Sequence, residues 1–170
     1  MAAVNKVTLG LKKIEIGDIA SDGDMGSTLT QMGYTLLDSC SFTSEDATTV
    51  EHNVEELDDV FESMSTPGKK TLVFSIADPS LDTLKALLGG TVNTSDGTWE
   101  PDNTAPTIEK SIRVTPKKGL VFDFPRTRID AKWNAQFGKN NLAVLEVTAT
   151  LLIPTKAGVG IYKTTEIPTV

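Results

Sequence analysis

The residues of this sequence that are able to do chemistry are few and scattered. His52 is the only histidine, so a Ser-His-Asp or Cys-His arrangement would have to use it. It lies in an acidic, threonine-rich run, and the sequence contains no G-x-S-x-G, Walker A or dinucleotide-binding motif. We therefore interpret His52 as a surface histidine and expect no catalytic residues, and hence no enzyme.

Metal-binding patterns are also incomplete. Asp22-Gly23-Asp24 resembles a fragment of a calcium-binding loop, but the positions where the remaining ligands should follow carry the wrong residues. One cysteine and one histidine cannot form a structural zinc site. We predict that Asp22-Gly23-Asp24 is a turn, and we expect neither a metal nor a cofactor.

Paired carboxylates offer a third kind of chemistry. Glu55 precedes Glu56, and Asp58 precedes Asp59, and glycosidases use two carboxyl groups as acid and base. Neighbouring residues of a strand, however, point to opposite faces. Only Trp99 and Trp133 could provide an aromatic platform for a sugar, and the alternating apolar pattern around Trp133 favours a place in the core.

The negative charge itself is unusually concentrated. Eight of the eighteen residues from 45 to 62 are acidic, and no Lys or Arg occurs between Lys13 and Lys69. A catalytic or metal site, a disordered acidic tail and a surface that repels another molecule are three possible explanations. Because apolar residues such as Val50 and Phe61 are interleaved with the acids, the pattern favours a structured acidic surface.

Charge is unevenly distributed between the two ends of the chain. Residues 1–100 carry 17 acids and 6 bases, whereas residues 101–170 carry 6 acids and 10 bases. Such a molecule could present complementary faces and attract copies of itself head to tail. The net charge of −7 argues against tight nucleic-acid binding, although a like-charged wall lets a polyanion pass without adsorbing.

Length and composition indicate one domain spanning residues 1–170. The single cysteine, Cys40, excludes an internal disulfide, and its strand-like setting suggests a small buried residue. No apolar run has the length of a signal peptide or a membrane span, so we expect assembly in the cytoplasm and no membrane partner.

Most of the chain has the alternating pattern of strands. A change of apolar parity near Lys12–Lys13 predicts a bulge. A second change at Pro125 predicts either an edge strand or a bulge. For residues 45–62 we favour strand over helix. The turn at residues 66–68 predicts a hairpin that joins residues 57–65 to the strand after Lys70.

The one predicted helix covers about residues 78–88, with Asp78 as N-cap and Gly89 or Gly90 at its end. Its four leucines should pack on the sheet; they are Leu81, Leu84, Leu87 and Leu88. The predicted fold is therefore mainly β: a β-sandwich or partly closed barrel with one flanking helix.

Two polar segments with several glycines are expected to lie outside this core. The first is a loop at residues 17–33, and the second is a C-terminal extension at residues 155–170 that has few means of burying itself. We expect both to be partly mobile in a lone subunit and to become ordered on assembly.

Three segments together resemble the major tail (tail tube) proteins of long-tailed bacteriophages, which are related in fold to the ring protein of type VI secretion. They are SFTSEDATTVEHNVEELDD, GKKTLVFSIADPSLDTLKALLGGTV and LAVLEVTATLLIP, within residues 30–155. The most specific feature is the strand that runs directly into a helix ending in Gly-Gly. None of the segments is a catalytic signature, so the resemblance is one of pattern and order.

The resemblance implies a structural virion protein whose hexameric rings stack into a tube through which DNA leaves the capsid. Its partners would be copies of itself, other tail proteins and DNA that passes without specific binding. It would be located in the virion tail, and the tail would be assembled in the host cytoplasm. The candidate lumen or inter-subunit acids are Glu51, Glu55, Glu56, Asp58 and Asp59. The candidate complementary bases are Lys117, Lys118, Arg126 and Arg128. The alternative is a secreted β-sandwich module that binds glycan or calcium.

Overall fold

A computed structural model describes residues 7–167, and it is mainly β, with one large antiparallel sheet and one short helix. The elements are β1 (Leu9–Gly17), β2 (Thr30–Gln31), β3 (Ser41–Ser44), β4 (Thr48–His52), β5 (Glu62–Thr66), β6 (Lys70–Ile76), α1 (Leu81–Leu88), β7 (Thr91–Asn93), β8 (Thr98–Glu100), β9 (Ile108–Lys118), β10 (Leu120–Asn134), β11 (Val144–Leu151) and β12 (Lys163–Glu166).

The large sheet has the strand order β2-β1-β9-β10-β11-β6-β3, and β12 pairs with β10. The long strand β10 is shared, because its first residues pair with β12 and its last eight pair with β11. The sheet curves strongly: the ring of Phe42 on β3 lies 5.1 Å from that of Phe124 on β10, although two strands separate β3 from β10. The described strands do not close into a barrel, and the predicted mainly-β, sandwich-like class is confirmed.

The bulge predicted near Lys12–Lys13 is present, and of the two alternatives for Pro125, an edge strand or a bulge, the structure has the bulge. The register of β1 against β9 shifts between Leu11 and Lys13, and that of β10 against β9 shifts between Phe124 and Thr127. Pro125 therefore sits in a central strand, but at a bulge, where its missing N–H costs no ladder bond. The bulge is bound from the neighbouring strand by buried Ser111, whose Oγ donates to the Pro125 carbonyl at 2.6 Å.

Helix α1 covers the sheet as predicted, but its N-cap is Ser80 and not Asp78. The Ser80 side chain accepts a hydrogen bond from the Thr83 amide, while Asp78 accepts from the Tyr34 amide and so holds the preceding loop. Leu84 and Leu87 are buried, and Leu81 and Leu88 pack partly against the core. The helix ends at Gly89, whose φ of 78° is one that glycine adopts readily.

The predicted hairpin between residues 57–65 and β6 is wrong. Strand β5 pairs with β4, and β6 pairs with β3 and β11. The register of β3 with β6 continues without a shift into that of β4 with β5, and the Glu45 amide bonds the Lys69 carbonyl between the two ladders. Residues 66–68 are thus a kink within one long hairpin, because Pro67 interrupts the ladder without reversing the chain.

The C-terminal segment is better anchored than its composition suggested. Residues Lys163–Glu166 form β12 on the first half of β10. Ile161 packs against the core, and the Tyr162 ring lies 5.6 Å from that of Phe42. Backbone pairing needs no apolar side chains, which explains why the sequence pattern gave no sign of this strand. The predicted mobility of the segment before assembly stays a prediction.

Candidate interaction surface

The acidic stretch of the sequence lies on a hairpin that extends beyond the large sheet. We call residues 45–69 the acidic arm. Its strands β4 and β5 form a separate two-stranded sheet, and every residue in both strands is exposed. At about 3.3 Å per residue, the five residues of β4 carry the chain roughly 16 Å. Two-stranded hairpins are marginally stable on their own, so an arm of this kind is suited to contact with another molecule.

The five candidate acids are all exposed, but they do not all lie on a strand. Glu51 is in β4, opposite Ser63. The other four, Glu55, Glu56, Asp58 and Asp59, lie in the connecting loop at residues 53–61. The strand predicted for 45–62 is therefore confirmed only for Thr48–His52 and for Glu62, and alternation along a strand cannot sort the loop acids into two faces. Within the described chain, no ion pair involves any of the five.

The acidic arm also exposes large apolar side chains. Val50 and Met64 face each other across the ladder, and Met64 is 69% exposed. In the loop at the end of the arm, Leu57, Val60 and Phe61 are exposed, with Phe61 at 61%. Five exposed large apolar residues on one short hairpin are more typical of an interaction surface than of a solvated one.

The four candidate bases behave differently from one another. Lys117 and Lys118 are exposed at the end of β9. Arg126 donates two hydrogen bonds, of 2.7 and 2.9 Å, to the Glu109 carboxylate, and Arg128 lies 3.4 Å from Asp130. Arg126 also donates to the Ile153 carbonyl. The pairing with Arg126 lowers the pKa of Glu109. Arg126 is thus fully engaged inside the subunit, and the two lysines are the better candidates for a neighbour.

A groove of about 600 Å³ opens beside Lys117. Half-buried and buried apolar residues lie deep in it, including Cys40, Phe42 and Phe124. Tyr34 and Leu37, both strongly exposed, lie at its rim. The basic residues along it are Lys12, Lys13 and Lys117. Lys13 pairs with Glu15 at 2.8 Å, and Asp38 is the acid among the lining residues.

Cys40 is half-buried in this groove, close to the buried position that its pattern predicted. Burial raises the pKa of its thiol, because the thiolate is less well solvated there. Cys40 is therefore a weak nucleophile but a useful reporter of whether the groove is covered.

The other residues singled out for chemistry are accounted for by local structure. His52 is exposed, and it lies opposite Glu62 in the register of β4 with β5. Lys156 binds Asp22 at 2.8 Å and Asp24 at 2.7 Å, and Gly23 adopts a φ of 84° in the turn between them. These carboxylates are held by a lysine, as in a stabilised turn. Among residues 7–167, no three His, Cys, Asp or Glu side chains group as a metal site.

The expectation of a core position for Trp133 is wrong, since 44% of the residue is exposed near the end of β10. Strand β11 still pairs with β10 at this point, with Leu145 opposite Trp133, so the strand pattern continues to Trp133 although the residue is not covered. Trp99 is half-buried, and its Nε1 donates to the Gly89 carbonyl at 2.9 Å. Trp99 thereby binds the end of α1 to the β7–β8 hairpin and offers no free platform for a sugar.

Sequence reasoning missed the ion pairs between β9 and β10. Arg113 binds Asp123 through two hydrogen bonds of 2.6 and 3.1 Å, and Arg126 binds Glu109 in the same way. A signal was available, because Gly119 marks the turn between these strands. Its φ of 105°, and the 2.4 Å that would separate an added Cβ from Thr8 Cα, require glycine. The pairing is centred on Lys118, the residue before Gly119, and counting five residues outward in each direction from Lys118 places Arg113 opposite Asp123.

No protein-family model matches this sequence. No curated protein matches it at a significant level either. Of the residues that the structure describes, none belongs to a helix long and apolar enough to cross a membrane. The features of the molecule that bear on its function are therefore the arm, the groove and the distribution of charge.

Proposed function

We propose that this chain is a structural virion subunit that assembles into stacked rings, with six subunits per ring, forming a phage tail tube. The tube would be a negatively lined conduit for DNA. The sequence resemblance described above suggests this function, and the observation that carries it is the acidic arm. An exposed two-stranded arm with apolar side chains on its surface has a physical reason to exist when a neighbour covers it.

The open ends of the large sheet also support assembly. Strand β2 pairs with only two residues of β1, so backbone groups earlier in β1 are available to a neighbouring chain. At the other end of the sheet, β6 is already bonded by β3 and by residues 34–36 and 39, so the edge that a neighbour could extend there is the outer edge of β3. Addition of a strand at a sheet edge is a common mode of protein association. Subunits with open edges at both ends of a sheet can form rings through one repeated heterologous contact.

The charge of the arm fits the proposed conduit. Four acids lie within five residues of its loop, and within the described chain no base pairs with them. A wall of carboxylates repels phosphates, so DNA meets no adsorbing contact as it moves. A surface that serves only solubility mixes charges of both signs, and residues 14–68 contain no Lys or Arg.

Electron microscopy of the purified chain tests this function. We expect rings or tubes, formed spontaneously or on addition of tail-extract template, with a channel wide enough for duplex DNA. The comparison is a glycan-array and calcium-binding assay on the same preparation. A stable monomer that forms no rings under either condition, and that binds glycan or calcium, would reject the tube and favour a binding module.

A further inference from the structure

The acidic arm and the groove beside Lys117 are complementary in chemistry. The loop of the arm combines exposed apolar residues, of which Leu57 and Phe61 are the largest and most exposed, with four carboxylates. The groove combines an apolar interior with Lys12, Lys13 and Lys117 along its length. Its volume of about 600 Å³ falls within the range of roughly 300–1,000 Å³ that holds compact ligands, which suits a few side chains of a turn.

The acidic arm does not occupy the groove of its own subunit. Phe42, near the start of β3, lines the groove, whereas none of residues 45–69 does. Along the chain, the kink at residues 66–68 and the whole β4–β5 ladder separate the arm loop from Phe42. The groove is therefore open to the loop of another copy.

We propose that the arm loop of one subunit, residues 53–61, docks in the groove of a second copy, with Leu57 and Phe61 against the apolar interior and the acids beside Lys12 and Lys117. A contact between two different surfaces of the same chain is heterologous, so it propagates head to tail and does not stop at a dimer. This inference rests on the proposed function, since it identifies a contact that would join subunits of the tube.

Opposite charges at the two surfaces would speed the encounter and set its orientation, while burial of the apolar pair would supply most of the affinity. Asp38, the acid along the groove, opposes the loop carboxylates and limits how deeply they can enter. The contact should therefore weaken when salt rises, but it should not vanish, because apolar burial is not screened.

Cross-linking tests the contact directly, because Cys40 is the only natural cysteine. Val60→Cys, which leaves Leu57 and Phe61 in place, is treated at pH 8 with a short bismaleimide and separated by denaturing electrophoresis. Labelling of Cys40 in the dilute parent chain by a monofunctional maleimide establishes that this thiol reacts under the same conditions. We expect a ladder of covalent dimers and higher species, and we expect the ladder to be lost in the double variant Val60→Cys/Cys40→Ser. A matched control, Lys139→Cys, lies outside both surfaces and should give no ladder that depends on Cys40. A ladder absent from Val60→Cys when Cys40 is reactive, or one that survives Cys40→Ser, would overturn the inference.

A mixing experiment tests whether the contact joins the loop of one copy to the groove of another. Leu57→Asp/Phe61→Asp removes the apolar part of the loop but keeps the groove, and Lys12→Glu/Lys117→Glu reverses the groove but keeps the loop. Each variant alone should stay monomeric by sedimentation velocity, at a concentration where the parent chain associates. An equimolar mixture should form dimers only, since one functional loop meets one functional groove. Failure of the mixture to form dimers, with both variants folded by circular dichroism, would contradict the docking.

The two proposals can fail separately. Rings or tubes that form equally well from Leu57→Asp/Phe61→Asp would leave the tube function standing and reject the docking. A Cys40-dependent ladder from a chain that never forms rings would support the docking and reject the tube. Lys139→Glu, a reversal outside the groove, should change neither result.

Discussion

Thr127 and Thr150 lie on the neighbouring strands β10 and β11, both buried, yet only one of their hydroxyl groups is bonded. Thr127 Oγ1 donates to the Lys110 carbonyl at 2.7 Å, whereas Thr150 Oγ1 has no partner among the described residues. The two threonines therefore form a natural pair for measuring what a buried hydroxyl contributes in this core.

Thr127→Val should destabilise the fold by about 1–3 kcal/mol, since it removes the bond and leaves the Lys110 carbonyl without it. Thr150→Val should be neutral or stabilising by about 1 kcal/mol, because it replaces an unpaired buried hydroxyl with a methyl group. Urea unfolding of both variants against the parent chain measures the difference. Equal destabilisation by the two substitutions would show that Thr150 Oγ1 is bonded in solution.

Helix α1 provides the second prediction. Leu84→Asp or Leu87→Asp places an unpaired charge in the buried contact between the helix and the sheet, and either should cost about 3–5 kcal/mol. Lys85→Gln, on the exposed side of the same helix, is the matched control and should change stability little. The measurement is the melting temperature by circular dichroism, and an unchanged value for either Asp variant would refute the packing of α1.

The third prediction concerns Lys156, which joins two segments that are far apart in sequence. It binds Asp22 and Asp24 in the loop at residues 17–33 from its own place in the C-terminal segment. Lys156→Gln should therefore speed proteolytic cleavage of both segments together, while Lys139→Gln should speed neither. If the parent chain is already cut rapidly in both segments, the predicted mobility of the lone subunit is correct and the Lys156 link is too weak to oppose it.

The ion pairs of Lys156 also predict that the stability of the fold depends on pH. The hydrogen bonds from Lys156 lower the pKa of Asp22 and of Asp24 below the ordinary value of 3.8. Because the folded pKa values are lowered, the link stabilises fully above about pH 3.8 and is lost as pH falls through the lower folded values. NMR titration of the two carboxyl carbons measures this, and in Lys156→Gln both midpoints should rise. Midpoints that do not move would show that the ion pairs do not persist in solution.

Much of the fold was predictable because local signals agreed with each other. Parity changes located the bulges at Lys13 and Pro125, and the leucine spacing with a terminal Gly located α1. The N-cap was misplaced by two residues because Asp78 and Ser80 are both good caps. Only the tertiary contact of Asp78 with the Tyr34 amide decides between them.

The pairing of strands that are distant in sequence was not predictable. Residues 66–68 have turn chemistry, and nothing local distinguishes a reversal of the chain from a kink in an arm. Strand β12 has only exposed residues, so periodicity could not reveal it. The acids of the arm were recognised as a surface from composition alone, but the groove was not, since its lining residues come from β1, β3, β6, β9, β10 and the segment between β2 and β3.

The last prediction separates two roles for the acids of the arm. Glu51, Glu55, Glu56, Asp58 and Asp59 are each replaced singly by Lys, and each product is imaged and tested for DNA retention. Replacing an acid that faces the conduit should leave tubes intact but make them retain DNA, because the new lysine attracts phosphate. This retention should weaken as the salt concentration rises. Replacing an acid that meets a base of a neighbouring subunit should instead prevent assembly.

The docking inferred above assigns these outcomes to particular residues. Asp58 and Asp59, beside Phe61 in the loop, should behave as interface acids, and Asp58→Lys should be rescued by Lys117→Glu in the same chain. Glu51 lies on the ladder, two residues before the loop that docks, and should behave as a conduit acid. Lys118→Glu, next to Lys117 but not a groove residue, is the control for the rescue. If all five reversals assemble normally and none gains affinity for DNA, the acidic arm is a solvated outer face, and neither a conduit nor an interface is formed by it.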